Sequence, residues 1–225
     1  MSLRRQCSER WRSGHRRARC SNVPAILLHL AYTRAHLRKH PELNEIEVYR
    51  ASVFPDIRRM ADLPREQTHS AGVNLDEIER EPDSWRVGWL LHSYLDETWN
   101  RYVNEFDVAA VHRHDEELWR AIKLAEEAEF YETMSNREEI AKMFDTPPMP
   151  VELESVVDPA LIERWNRFVV HKLRYPFSAA FWSQQAVAVG YSREYMLRLL
   201  DMVEKIRTDE VWLERLWEIH GKLGV

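Results

Sequence analysis

The chain has 225 residues, 44% hydrophobic and 31% charged, an ordinary globular composition with enough length for one large helical core. Its two cysteines, Cys7 and Cys20, exclude a disulfide framework and a Cys-rich zinc site, and no run approaches the 18 apolar residues of a transmembrane segment. The net charge of −5 is unevenly placed: residues 1–22 hold seven Arg and one acid, Glu9, and carry +6, leaving an acidic body of −11 that argues against a specific nucleic-acid binder, since phosphates require a basic face.

Residues 1–22 lack helical periodicity and the apolar stretch of a signal peptide, so they read as a disordered basic tail. The favoured origin is upstream sequence translated ahead of the true start, because a sharp pattern begins at Val23-Pro24-Ala25. A basic arm or an Arg-rich organellar presequence are the alternatives. With neither a signal peptide nor a membrane span visible, the expected location is cytoplasmic.

The rest, 23–225, reads as one compact all-α domain, a multi-helix bundle with a subdomain break expected near 145–151. Pro24 suits the first turn of a helix running to about His40, whose last turns gather Arg34, His36, Arg38, Lys39 and His40, where cations complement the helix dipole. A short helix is expected over Leu43–Ser52. Residues 54–83, with Phe54-Pro55-Asp56, Leu63-Pro64, Gly72 and Glu81-Pro82, read as a long ordered connection, the kind of segment that often carries function.

Asp83 is the expected N-cap of a helix from Ser84 to about Asn104. A longer helical stretch follows from Asp107 to Phe144, with a break near Ser135-Asn136. Thr146-Pro147-Pro148-Met149-Pro150 is the strongest punctuation in the chain. Later helices are expected from Asp158 to Arg174, over Phe177–Val189, from Ser192 to Ile206 and from Asp209 to Lys222. Nine Trp imply large buried aromatic contacts or a wide apolar surface, and Trp165, Trp182, Trp212 and Trp217 suggest that these later helices pack back on the earlier ones.

The strongest chemical signal is His92-Ser93-Tyr94-Leu95-Asp96. The i, i+4 spacing puts imidazole and carboxylate on one helix face, where they could share a divalent cation or, with the carboxylate bridging, hold two. The bland alternative is a solvated or hydrogen-bonded pair. Gly88 lies one turn earlier on the same face, and a mid-helix glycine costs about 1 kcal/mol against alanine, so the site needs space there, for a ligand or for close helix packing.

Three more residues join this pair. His29 sits among Ile26, Leu27, Leu28 and Leu30, where a buried imidazole needs polar partners. Asp56 lies in apolar Val53-Phe54-Pro55-Asp56-Ile57, and His69 in the long connection. Their dull readings are a satisfied core histidine, a helix N-cap and an exposed loop histidine. Together, His29, Asp56, His69, His92 and Asp96 supply three imidazoles and two carboxylates, enough for two zinc-type ions with positions open to water and substrate.

The series from His29 through Pro55-Asp56-Ile57 and His69 to Gly88 and His92-Ser93-Tyr94-Leu95-Asp96 resembles the bacterial zinc-dependent phospholipase C superfamily, itself similar to single-strand-specific zinc nucleases. The match covers residues 23–105. The resemblance implies an α-helical bundle with a zinc cluster, in which Asp56, His69, His92 and Asp96 hold one ion while His29 and Asp96 contribute to a second. It departs from the family in showing no processed N-terminal ligand and no His-Pro after the helix Asp. The family's third site takes two further His and a Glu, for which this chain offers His112 and Glu116 at i, i+4, a loose match with His114 nearby.

The implied activity is a metal-dependent hydrolase acting on a small-molecule or lipid phosphate ester, with Zn²⁺ or another first-row divalent ion as cofactor. Asp56 would be a ligand or the general base, and Arg58, Arg59 and Arg65 could pair with phosphate. Two alternatives stand beside it. An HD-type phosphohydrolase would use His92, His114-Asp115 and a later acid such as Glu126, Glu127 or Glu129, residues otherwise expected on a solvent-facing charged stretch. A non-catalytic helical scaffold or homo-oligomerisation module would keep the polar cluster only as a structural site.

Overall fold

The computed structural model describes residues 26–105, 116–145, 157–175 and 192–224, and among them there is no β-strand. The helices are α1 (Ile26–Leu37), α2 (Glu45–Val53), the short α3 (Arg58–Ala61), α4 (Leu75–Arg80), α5 (Ser84–Glu105), α6 (Glu116–Thr133), α7 (Arg137–Asp145), α8 (Pro159–Arg174), α9 (Arg193–Arg207) and α10 (Glu210–Leu223). No described helix is long and apolar enough to cross a membrane. The expected basic tail, the Pro cluster and the 177–189 helix lie outside the described residues.

The helix ends follow their capping chemistry. Side chains of Asn44, Asn74, Asp158, Ser192 and Asp209 each accept a backbone N–H from the first turn of the following helix, satisfying donors that have no partner within it. Asp83 does the same for α5, taking the Arg86 N–H at 2.6 Å. Thr208 closes α9. The expected break at Ser135-Asn136 separates α6 from α7.

The 54–83 connection is built of short turns rather than coil. Two 3₁₀ turns, Phe54–Ile57 and Arg65–Gln67, flank α3, and α4 follows. Pro55 fits the start of the first turn because its missing N–H has no helical acceptor there. Asp62 closes α3 in the left-handed region at φ 52°, and Leu63 N–H returns to the Arg58 carbonyl at 3.0 Å, so the chain reverses towards Pro64.

α1 is apolar around most of its girth, with Ile26, Leu27, Leu28 and Leu30 all buried, as expected of a helix enclosed by others. α5, about 33 Å long at 1.5 Å per residue, crosses the bundle. Leu95, Trp99 and Val103 feed the main core, while Val87, Leu90 and Leu91 join Val48, Val73 and Ile78 in a smaller one. His92 and Asp96 fall between these two apolar surfaces, both fully buried. Trp165 is buried and Trp212 packs on the main core, as the sequence suggested, but Trp217 is 46% exposed and Trp182 lies outside the described residues.

Candidate metal centre

α2 and α5 approach each other unusually closely at Gly88. A Cβ there would stand 2.3 Å from the Val48 carbonyl oxygen and 2.7 Å from the Ala51 Cβ, distances that no side chain tolerates. The space Gly88 provides is thus filled by a helix, not a ligand. Its consequence reaches the site one turn on: the Ser52 carbonyl oxygen comes within 2.8 Å of His92 Nδ1. A carbonyl can only accept, so Nδ1 carries the proton and Nε2 presents its lone pair inward.

The five expected residues meet around that lone pair. Asp96, one turn beyond His92, directs its two oxygens to different neighbours. Oδ1 lies 3.4 Å from His29 Nε2; Oδ2 lies 3.2 Å from His69 Nε2 and 3.8 Å from His92 Nε2. The His29 and His92 rings stack in parallel at 4.0 Å, and the His69 ring stands edge-on to His92 at 4.8 Å. Two groups of potential ligand atoms lie within 4.8 Å of one another: His29, His92 and Asp96, and Asp56, His69 and His92. These buried His/Asp groups could hold a metal ion.

The two groups overlap at His92, whereas the family resemblance places the bridge at Asp96. An imidazole nitrogen has one lone pair and can serve a single ion, while a carboxylate with two separately aimed oxygens can serve two. His92 can therefore serve only one of the two groups, and the two oxygens of Asp96 are aimed at different neighbours.

None of the dull readings describes these residues. His29 is buried yet neither ring nitrogen has a hydrogen-bond partner, which is costly in an apolar interior. Asp56 caps no helix; it sits inside the first 3₁₀ turn, 6% exposed, with Oδ1 lacking a hydrogen bond and Arg59 Nε 3.6 Å away. The His69 side chain is 3% exposed rather than loop-like. Its backbone is pinned by the His69 N–H to the Arg65 carbonyl at 2.9 Å, and the next N–H, of Ser70, reaches Ser93 Oγ on α5 at 3.0 Å. Thr68 Oγ1 stands 2.8 Å from His69 Nδ1 and 3.3 Å from the Arg65 carbonyl. Its hydroxyl can therefore donate to either, allowing His69 Nε2 to be donor or lone pair as its surroundings require.

The electrostatics favour ligand-competent protonation states. Burial, reinforced by neighbouring His29, pulls His92 down to about 3, so it stays neutral at physiological pH. Burial pushes Asp96 up, but His92, His29 and His69 together outweigh it and hold the carboxyl well below its ordinary range. Asp56 is likewise lowered: burial is countered by Arg59 and His92.

Neighbouring residues complete the picture. Ser52 acts only through its backbone, and Thr68 carried no motif beyond its adjacency to His69. Arg65, one of the arginines offered to phosphate, places Nη2 2.5 Å from Asp96 Oδ2. Lys123 of α6 lies over the Trp99 and Trp119 rings at 5.1 and 5.5 Å from their centroids. Burial and Arg59 lower its amine to about 7 while Glu126, Asp96 and Asp56 pull the other way.

His112 and His114 lie outside the described residues, and Glu116 opens α6. Glu126 and Glu127 do not face solvent. Glu126 Oε1 accepts from Trp99 Nε1 at 3.1 Å and lies 2.8 Å from His220 Nε2, and Glu127 accepts from Lys172 at 2.6 Å. Glu129 accepts from Arg207 Nε at 2.9 Å, so all three acids offered to an HD-type arrangement are engaged with other helices. No protein-family model, curated protein or solved structure matches the chain.

Proposed function

We propose that this protein is a metal-dependent hydrolase of phosphate esters. The observation that supports it most is the convergence of His29, Asp56, His69, His92 and Asp96 with His92 Nδ1 committed to the Ser52 carbonyl and Nε2 turned towards the other donors. Backbone fixation of the remote ring nitrogen is how metal-binding histidines are commonly oriented and made more basic. A mixed set of three imidazoles and two carboxylates suits Zn²⁺ or a neighbouring first-row ion better than Mg²⁺ or Ca²⁺, which prefer all-oxygen sites. His29 and Asp96 Oδ1 would serve one ion; His69, His92, Asp56 and Asp96 Oδ2 would serve the other.

Such ions supply a bound water of lowered pKa and neutralise charge on phosphoryl oxygens. The chain's own residues supply the rest. The carboxylate of Asp56 is available as ligand or proton acceptor, with Arg59 beside it holding it ionised. The two apolar clusters flank the buried donors, and Arg59 and Arg65 of the 54–67 connection, both partly exposed, would meet an anionic substrate. A small-molecule or lipid phosphate ester is the substrate class favoured by this combination, and the resemblance to zinc-dependent phospholipases C points the same way.

A non-catalytic role with a structural ion is the competing reading, supported by the burial of every candidate ligand. Elemental analysis of untagged protein, paired with hydrolysis of bis(p-nitrophenyl) phosphate before and after chelation, separates the two. Stoichiometric Zn²⁺ with chelator-sensitive turnover supports the hydrolase. Stoichiometric metal with no turnover on mono- or diester probes favours the structural role, and absence of bound metal defeats both.

A further inference from the structure

We infer that Arg65 is the phosphate anchor of this centre, held on Asp96 until a metal ion displaces it. The inference rests on the metal-centre reading above and adds the residue that grips the substrate and its regulation.

The contact itself is chemically unusual. Asp96 is fully buried, yet a guanidinium that is 38% exposed reaches in to place Nη2 2.5 Å from its Oδ2. That oxygen is the one lying 3.2 Å from His69 Nε2 and 3.8 Å from His92 Nε2, the oxygen an ion shared with those imidazoles would take. A guanidinium and a divalent cation held on one carboxylate oxygen repel one another and compete for its negative charge. Arg65 therefore neutralises Asp96 as a resident cation and competes with metal for it.

Displacement moves only the side chain. The Arg65 carbonyl receives the N–H groups of Thr68 at 3.0 Å and His69 at 2.9 Å, so its backbone is part of the turn that positions His69. A long side chain hinged on an anchored Cα leaves its guanidinium at the mouth of the site, next to the ions. The planar fork of that group matches two non-bridging phosphoryl oxygens, a geometry that lysine lacks. Arg59 makes a looser approach, 3.6 Å from Asp56 Oδ1 with its side chain 52% exposed, so of the two arginines Arg65 is the one whose release depends on metal.

Calorimetric titration of the full chain with Zn²⁺, and then of the zinc-loaded protein with inorganic phosphate, tests this with wild type, Arg65→Gln and Arg65→Lys. Removing the competitor should tighten Zn²⁺ binding about tenfold in Arg65→Gln, while phosphate binding to the loaded form should weaken about tenfold. Arg65→Lys, keeping charge without the fork, should bind phosphate with intermediate affinity. Equal zinc and phosphate affinities in wild type and Arg65→Gln would overturn the anchor and leave the metal centre standing. Weaker zinc binding in Arg65→Gln, with its melting temperature lowered in the metal-free state, would also overturn it, showing Arg65 to be a prop for His69. Absence of zinc binding by all three proteins would remove the metal centre and the anchor together.

Discussion

His69 Nε2 and His92 Nε2 lie 3.1 Å apart, and the opposite nitrogen of His92 is committed to the Ser52 carbonyl. His92 must therefore offer a lone pair across that short gap, and only a proton on His69 or a shared cation can sit between them. Thr68 accommodates both states, because its hydroxyl can turn towards His69 Nδ1 or towards the Arg65 carbonyl. A metal can thus replace the proton without any change in the net charge of His69, which avoids the cost of charging an imidazole in a buried site.

In the proposed centre Asp96 would serve both groups of ligands, so it is the first residue to test. Asp96→Asn keeps the volume but removes the charge, and its amide nitrogen would face one of the imidazoles. Metal content and phosphodiester hydrolysis should fall together, with affinity reduced by more than about 100-fold, since altering even an outer-shell partner costs about 10–100-fold. His36→Ala, in the stacked His36–His40 pair at the end of α1, should leave both intact. Metal retention in Asp96→Asn at wild-type stoichiometry would show that Asp96 does not bridge.

Gly88 tests whether helix approach sets the ligand geometry. Gly88→Ala must push α2 away from α5, because the new methyl would overlap the Val48 carbonyl. Overpacking of this kind costs about 1–3 kcal/mol, despite the better helix propensity of alanine. Separation also withdraws the Ser52 carbonyl from His92, so zinc affinity should drop in a protein that still folds. Urea unfolding combined with zinc titration reads the two effects separately, and an unchanged zinc affinity would detach Gly88 from the site.

The helical architecture was legible because its signals are local. Asn, Asp and Ser caps, Pro55 and Pro159, and the 3.6-residue apolar spacing fix elements through contacts only a few residues apart. The site was legible for a different reason: a buried-looking His29 and Asp56 in apolar surroundings imply polar partners even when those partners are unknown. What sequence spacing could not supply was assignment. The Ser52 contribution is a main-chain atom invisible in any motif, and no spacing signals the contact of Arg65 with Asp96. Glu126 and Glu127 sit in a stretch dense with charge, which conceals that their own side chains point inward to His220 and Lys172.

That inward pair supports a prediction remote from the metal. Glu126 Oε1 joins Trp99 of α5 to His220 of α10, with all three side chains buried. Truncating His220 to alanine leaves the carboxylate with one donor in an apolar setting, and breaking a buried pair in this way costs roughly 3–5 kcal/mol. His220→Ala should therefore be strongly destabilised, and Glu126→Gln less so, because a neutral amide needs less compensation. Amide hydrogen exchange should place the loss first in α10. Equal stability of wild type and His220→Ala would show that the pair contributes nothing to docking that helix.

The metal-free protein should lose stability as pH falls below the ordinary histidine range. His92 is held near 3 by burial and by His29, against 6.5 in the unfolded chain. Between those values the unfolded state binds a proton that the folded state refuses, so stability rises with pH across the window and is lost as pH drops through it. One such group gives a slope of at most about 1.4 kcal/mol per pH unit. His36, lowered to about 4 by burial and by His40, acts in the same direction and must be subtracted with His36→Ala. Asp96 and Asp56 add a further loss below their ordinary range, because carboxylates favoured in the folded state must be protonated there. Chelated protein unfolded in urea at pH 7, 6, 5 and 4 should show a progressive fall in midpoint, shallower in His92→Gln. If instead the His36→Ala protein has a flat midpoint from pH 7 to 5, His92 is not held neutral by its surroundings, and its readiness to bind metal across that range loses its physical basis.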